Sequence, residues 1–519
     1  MKKIFYIALS ALAALFVSCD MEKFPHTGIE ESQYGSTYED VVNLSVSIYT
    51  PTKSLFGGGR LDLEEIRGGM FNAKADFGNY YGLFYAWIME TNDQDAEGPW
   101  FSDYAIIASQ NYMIGVCEKF LENNDLDEDD EEDAAKLAKV RNYVAEAHMT
   151  RAMAYWDLVT KYCAAYDPAT ASSTYGLPIQ LEYAPTSDAS KYPGRSSLEE
   201  TYAQILVDLE AAANMTTEGV KNSKYWTIDA VNAMRARVYL NMKNYEEAAT
   251  IAQGLINSGT YTLANSQSAM DNMWYHDASD ENIFMTAASL QDPCTSTGSY
   301  YIYDNVNRDG STPNPQYLPS QTLLDLYGAT ADEKAKDYRF NTYFQPREIT
   351  VEGVATKEMY LMWKYVGNPD LRSGAQLNYV SAGKPFRIAE QYLIAAEACA
   401  QSGNISIGAK LLNDLRRARI ADYTDGSYLD AASLLAAVQD EWSRECVGEG
   451  FRMINMKRWG KTIIRGESQD PTMTRPGTNY DDLVKEVSGP EADPRSLWPI
   501  PKSEIDSNPQ IRDQQNPGY

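Results

Sequence analysis

Two stretches of this chain carry the spacing of paired antiparallel helices, and that spacing restricts the fold more than any other feature. From Ala236 the order Ala236, Tyr239, Tyr245, Ala248 runs small, large, large, small. Small residues let two helix axes approach closely, and the tyrosines fill the groove beside them. The break at Lys243-Asn244 predicts helices over 229–242 and 245–257. A second unit covers 386–420, with Ala396, Gly403, Gly408 and Leu415 at similar positions. Two units are fewer than the three or more that a free-standing stack needs. The repeats are therefore expected as a scaffold inside a larger, mostly α fold.

Other segments read as helix as well. Between 142 and 162, Val144, Ala147, Ala154, Tyr155, Leu158 and Val159 fall on one stripe. Ser196 with Glu199 three residues later reads as a capping box, opening a helix that continues through Ala213. A helical run follows at 105–121, with Trp100 and Tyr104 ahead of it as packing anchors. Long stretches at 56–99, 262–347 and 466–493 hold much of the Gly, Pro, Asn and Asp and are expected to be irregular. Such lengths are unusual unless the loops are functional or pack onto the core. Short strands are expected near 281–286 and 357–364.

At the N-terminus, Lys2 and Lys3 precede an apolar run from Ile4 to Val17 and then Ser18 and Cys19. The run is short of the ~20 residues that span a bilayer and has the flanks of a signal peptide. Phe16-Val17-Ser18-Cys19 resembles a bacterial lipobox, with Phe16 where leucine is usual, and this makes Cys19 the lipidation site. The expected organisation is a signal peptide over 1–18, a lipidated tether over 19–40 and one helical domain over 41–519. Within that domain an N-terminal segment covers about 41–260 and a C-terminal segment about 280–519.

The net charge is −28, which repels nucleic acid phosphates and anionic headgroups. No nucleic acid partner is expected. The cysteines left after Cys19 (117, 163, 294, 399 and 446) show no metal-type spacing. His26, His148 and His276 are scattered and form no ligand cluster. Gly57-Gly58-Gly59 lacks the residues of a phosphate loop and reads as a flexible turn. The acidic run 125–133 lacks the glycine and the final glutamate of a calcium loop and reads as a solvated inter-helix connection. Neither a cofactor nor a catalytic residue is expected.

Binding has more support. The stretch 71–104 holds ten aromatic residues among glycines and polar side chains, and Tyr300, Tyr301 and Tyr303 form a second group beside Asn305, Asn307 and Arg308. Aromatic faces accept the C–H face of a sugar ring while polar side chains bond its hydroxyl rim. Tyr80, Tyr81, Tyr85, Trp87, Tyr300 and Tyr301 are the candidate platform.

Five landmarks carry a family resemblance: 145–158, the 195–213 helix, FRIAEQYLIAAEA at 386–398, ECVGEGFRMINMKRWG at 445–460, and LWPIP at 497–501 running on to Asn516-Pro517-Gly518-Tyr519. Asn455 and Trp442 depart from the pattern, which usually has aspartate and arginine there. In this order they resemble the SusD/RagB family of surface lipoproteins. The resemblance implies a SusD-like, repeat-based helical fold whose loops carry the ligand site, and a non-catalytic role. Such proteins capture oligosaccharides or polysaccharides, in some members peptides, and pass them to a SusC-like TonB-dependent transporter of the outer membrane. Asp20 and Glu22 resemble the acidic flank linked to surface export, which places the protein lipid-anchored (palmitate included) on the cell exterior. A RagB-like peptide binder, a lipid-anchored glycosidase and a pure repeat scaffold are the alternatives.

Overall fold

The computed structural model describes residues 35–294, 297–302, 313–374, 377–475 and 483–519. About half of the chain is helical, and the strands are short. The helices that position the rest are α1 (Gly59–Arg67), α2 (Gln94–Asn123), α3 (Glu131–Tyr162), α4 (Leu198–Ala212), α5 (Ile228–Asn241), α6 (Tyr245–Asn257), α7 (Ile388–Gln401), α8 (Ile405–Arg419), α9 (Ala431–Glu445) and α10 (Arg452–Trp459). No helix among the described residues is long and apolar enough to cross a membrane.

The expected helix pairs are present. Helices α5 and α6 break at Lys243, which takes the left-handed φ of 61°, and α7 and α8 repeat the arrangement. Alanines 236, 248, 252, 389, 395, 396 and 398 are fully buried where these helices meet. The two glycines of the second unit do different work. Gly403 ends α7 with a φ of 76°, a conformation that favours glycine. Gly408 lies where α8 crosses α7, and a Cβ there would stand 3.1 Å from the Ala396 carbonyl oxygen.

Helix α3 begins eleven residues earlier than its apolar stripe, because Asp130 caps it by accepting from the backbone N–H groups of Glu132 and Asp133. The acidic run is thus part exposed loop and part helix start. The stripe is also not the whole buried face, since every residue from Met149 to Trp156 is buried. This half of α3 is surrounded, with α2 and α4 packed along it. The capping box of α4 lies one residue later than the sequence suggests: Ser197 and Glu200 bond each other's backbone N–H groups, while the Ser196 hydroxyl donates to the Leu177 carbonyl, 2.8 Å away. Trp100 and Tyr104 sit inside α2 rather than ahead of it. Trp100 packs edge-on against Tyr162 at 5.0 Å, and the Tyr104 hydroxyl donates to the Pro178 carbonyl.

Two of the resemblance motifs, 386–398 and 445–460, lock onto one another through buried ion pairs. Arg387 and Arg419 share the Glu445 carboxylate at 2.8 and 2.9 Å, and Arg339 reaches the same group at 3.0 Å. These cations hold the Glu445 carboxyl well below its usual range against the opposing effect of burial. Arg458 pairs with Glu397 at 2.8 Å, and the Trp459 indole donates to the same carboxylate. The C-terminal motif closes on the opposite end of the chain, where the buried Trp498 indole donates to Glu64 at 2.7 Å.

All sheets among the described residues are two-stranded and antiparallel. The expected strand near 281–286 is Asn282–Phe284, paired with Phe386–Arg387, and the one near 357–364 is Ala355–Met362, in a hairpin with Phe344–Val351. The pair that positions the candidate site joins β1 (Phe71–Ala73) to β2 (Tyr317–Pro319), with Phe71 opposite Pro319.

Candidate functional site: an aromatic platform

Because β1 pairs with β2, the loop after β1 and the segment before β2 lie side by side. Their aromatic residues sort into two layers. Below, Phe71, Tyr85, Tyr301 and Tyr317 have no exposed surface. Phe71 packs on Tyr301 at 4.6 Å and Tyr85 on Tyr317 at 5.4 Å. Above, Tyr80 is 51% exposed, and Tyr81 and Tyr300 are half-buried. Tyr300 lies between them, 5.2 Å from Tyr80 and 4.9 Å from Tyr81.

The six residues singled out from sequence therefore divide evenly. Tyr80, Tyr81 and Tyr300 form one contiguous cluster. Tyr85, Trp87 and Tyr301 are core residues and present no face to a ligand. Tyr85 is capped by the Arg465 guanidinium 3.6 Å over its ring. The Trp87 indole donates to the Arg67 carbonyl, and the Tyr301 hydroxyl donates to the carbonyl of Asp62. Periodicity could not separate the layers because the only regular structure over these six residues is two single helical turns, Gly82–Tyr85 and Ser299–Ile302, too short to show a repeat. Tyr303, Asn305, Asn307, Arg308, Cys19, Asp20 and Glu22 lie outside the described residues.

The exposed layer stands on an unusual backbone. Asn79, Tyr81 and Trp87 take φ values of 60°, 55° and 57°, a region that non-glycine residues seldom occupy and that clusters at functional sites. Surrounding contacts hold it there. The Tyr317 hydroxyl donates to the Tyr80 carbonyl at 2.5 Å. The Gly78 N–H donates to the Gln316 side chain, whose own backbone N–H donates to the Tyr300 carbonyl at 2.7 Å. At Gly82 a Cβ would meet the Asn79 side-chain oxygen at 2.1 Å, so any larger residue would displace the Asn79 side chain from the rim.

The platform rests on α1, a helix within a stretch expected to be irregular. Gly58, with a φ of 65°, starts it, so the glycine run is a helix entry rather than a free loop. A Cβ on Gly59 would lie 2.6 Å from the Tyr81 hydroxyl. One turn further on, Asp62 is buried, and burial pushes its carboxyl up to about 8. Glu65 beside it is raised to about 7 for the same reason. Sequence reasoning missed both acids, since nothing local distinguishes a buried carboxyl from a solvated one on a charged helix. At the rim Asn79 and Asp95 are exposed. Burial raises the Tyr81 and Tyr300 hydroxyls, with Asp62 and then Asp95 adding to it, and the two hydroxyls bond to each other. The result is a small apolar–polar surface with ring faces at its centre and polar groups around it.

Two family models match this chain in order. One, described as starch-binding associating with outer membrane, covers residues 62–240, and the other, described as SusD family, covers 280–519. A SusD superfamily protein from Bacteroides thetaiotaomicron has the same fold with a TM-score of 0.74 at 24% identity, over 93% of this chain and 100% of its own. A SusD-like carbohydrate binding protein from Bacteroides vulgatus matches with a TM-score of 0.67 at 19% identity, over 93% of this chain and 98% of its own. The SusD-like protein P38 of Formosa agariphila is 21% identical over 367 residues, which are 63% of this chain and 69% of that protein. With the two models falling on successive halves and the fold shared nearly from end to end, the chain belongs to the SusD-like family.

Proposed function

We propose that this protein is a cell-surface binding lipoprotein that captures oligosaccharides or polysaccharides on the Tyr80–Tyr81–Tyr300 platform without cleaving them. The observation that carries this reading is an exposed ring cluster held by a strained backbone. An unpacked loop would relax away from left-handed φ values, whereas here buried tyrosines below and hydrogen bonds from Tyr317 and Gln316 fix three rings in place. Preorganised rings lose little freedom on binding a sugar face. Asp62 and Glu65, the acids beneath the platform, are 2% exposed, so these two lie out of reach of a glycosidic bond placed on the rings. The similarity to a carbohydrate binding protein of the same fold supports the glycan as ligand class. In this reading Cys19 carries the lipid that holds the protein to the outer membrane, facing outward, and a SusC-like transporter receives the bound glycan.

Calorimetric titration against an oligosaccharide panel tests the site. Tyr80→Ala is expected to weaken binding by about thirtyfold, ~2 kcal/mol, as at a central aromatic contact, with the melting temperature unchanged. Binding unaffected by both Tyr80→Ala and Tyr300→Ala would place the ligand elsewhere.

A further inference from the structure

Away from the platform, helices α1, α3 and α5 and the loops 381–385 and 449–451 enclose a cavity of about 90 Å³. At ~10–15 Å³ per water position this is room for about six to nine waters, comparable to what one pyranose ring displaces. Its wall is part aromatic, with Phe56, Trp156, Trp274 and Phe451, and part charged.

Each charge is already matched. Arg60 pairs with Asp103 at 2.7 Å and with Asp157 at 2.5 Å. Lys161 pairs with Asp157, Arg237 with Glu390 at 2.6 Å, and Lys384 with Asp277 at 2.6 Å. Glu449 is held by Lys364 and Arg387. A charged ligand would enter without a counter-charge, and burying it would be unfavourable. Hydrogen-bonding capacity, in contrast, is left over. Trp274 is 2% exposed, and its indole N–H has no partner. Among the described residues Arg60 Nε and Arg237 Nη1 donate to nothing, because their bonds all come from the other guanidinium nitrogens. Both bonds to Glu64 fall on Oε1, which leaves Oε2 as an acceptor. Buried polar groups are normally satisfied, and among the lining residues the Trp274 N–H is the one buried without a partner; the Arg60, Arg237 and Glu64 atoms add two donors and an acceptor, and together these define what would fit. It is a neutral molecule with several hydroxyl groups and at least one apolar face.

We propose that this cavity is a second ligand site, for a neutral polyhydroxylated ring of monosaccharide size. It shares no residue with the tyrosine platform, so either site can fail without the other.

The probes are D-glucose, D-galactose and N-acetylglucosamine, titrated against the mature chain and soaked into its crystals. At least one is expected to bind saturably and to appear in the cavity against Trp274. Its affinity should persist in the Tyr80→Ala/Tyr300→Ala double variant. It should fall at least tenfold in Ser381→Leu, which fills the cavity from its rim. Trp274→Phe keeps an aromatic face, removes the indole donor, and should weaken binding about fivefold; it decides the matter if Ser381→Leu folds poorly. Absence of saturable binding by all three sugars overturns the proposal. So does density seen only at soaking concentration, or binding that disappears with the tyrosines. Oligosaccharide binding lost in the tyrosine variants would leave the platform reading standing in each of those cases.

Discussion

A tyrosine beside the β1–β2 pair is exposed or a core residue according to the layer it joins. Tyr80 and Tyr301 are both close to Tyr300 in space or sequence, yet one is half exposed and the other fully buried. Tyr301→Ala should therefore cost about 3–5 kcal/mol of folding stability, read as a fall in melting temperature, where Tyr80→Ala costs affinity alone. The buried acids below give a pH signature. Asp62 rises from 3.8 to about 8 on folding and Glu65 from 4.5 to about 7. The folded state then holds more protons than the unfolded chain between those values, so stability is fully present below about pH 4 and is lost as pH rises toward 8. Asp62→Asn keeps an acceptor for the Gly298 N–H and removes the ionisation. The variant is expected to be more stable than the parent at pH 8, by several kcal/mol at ~1.4 kcal/mol per unit, and the gain should vanish at pH 4. Equal melting-temperature differences at the two pH values would count against a buried, uncompensated Asp62. The aromatic density at 71–104 and around Tyr300 was legible in the sequence. Which rings face outward was not, because the left-handed turns at Asn79 and Tyr81 arise from contacts with Tyr317 and Gln316, more than two hundred residues away.

Helices and their partners were the most legible elements, for a reason visible at two glycines. Gly254 lies on the exposed side of α6, and nothing would touch a Cβ placed there. Gly408 lies in the α7–α8 contact, where a Cβ would crowd the Ala396 carbonyl and the Leu434 side chain. Gly254→Ala should stabilise the protein by ~0.4–1 kcal/mol by restricting the unfolded chain, while Gly408→Leu should destabilise it by ~1–3 kcal/mol through overpacking. Urea titrations of the two variants check the contrast. Small-residue spacing found the α7–α8 pair around Gly408 because close helix approach leaves a local trace. The ends of α3 and α4 were misplaced because caps depend on single side chains: Asp130 extends one helix by three turns, and Ser197 rather than Ser196 turns its hydroxyl to the helix start. Helix α1 was missed altogether. It is short, opens on the last of three glycines, and buries Asp62, Glu64, Glu65 and Arg67 together with Leu63 and Ile66, so charges that read as solvated in the sequence are in fact inside.

On the scale of the molecule, three of the motifs that identify the family prove to be structural. The 386–398 and 445–460 segments meet through Arg387–Glu445 and Arg458–Glu397, and the last segment folds back over α1 through Trp498. None of them touches the platform, which explains why they speak for the fold while leaving the ligand to the loops. In the proposed function attachment falls to the lipid on Cys19, and Cys19→Ala is then expected to release the protein from membranes; retention of the variant in a high-salt-washed outer membrane fraction would refute the lipid anchor. The Trp498–Glu64 contact also sets a timetable. The N-H of that indole satisfies a buried carboxylate encoded more than four hundred residues earlier, and Gly450 and Gly466 close further bonds onto Glu65 and Gly69. Helix α1, the support of the platform, cannot acquire its final surroundings until nearly the last residue has been made. Pairings between such distant segments form slowly. The support beneath the platform is thus completed only at the end of folding, and a chain arrested before Trp498 would be born without it.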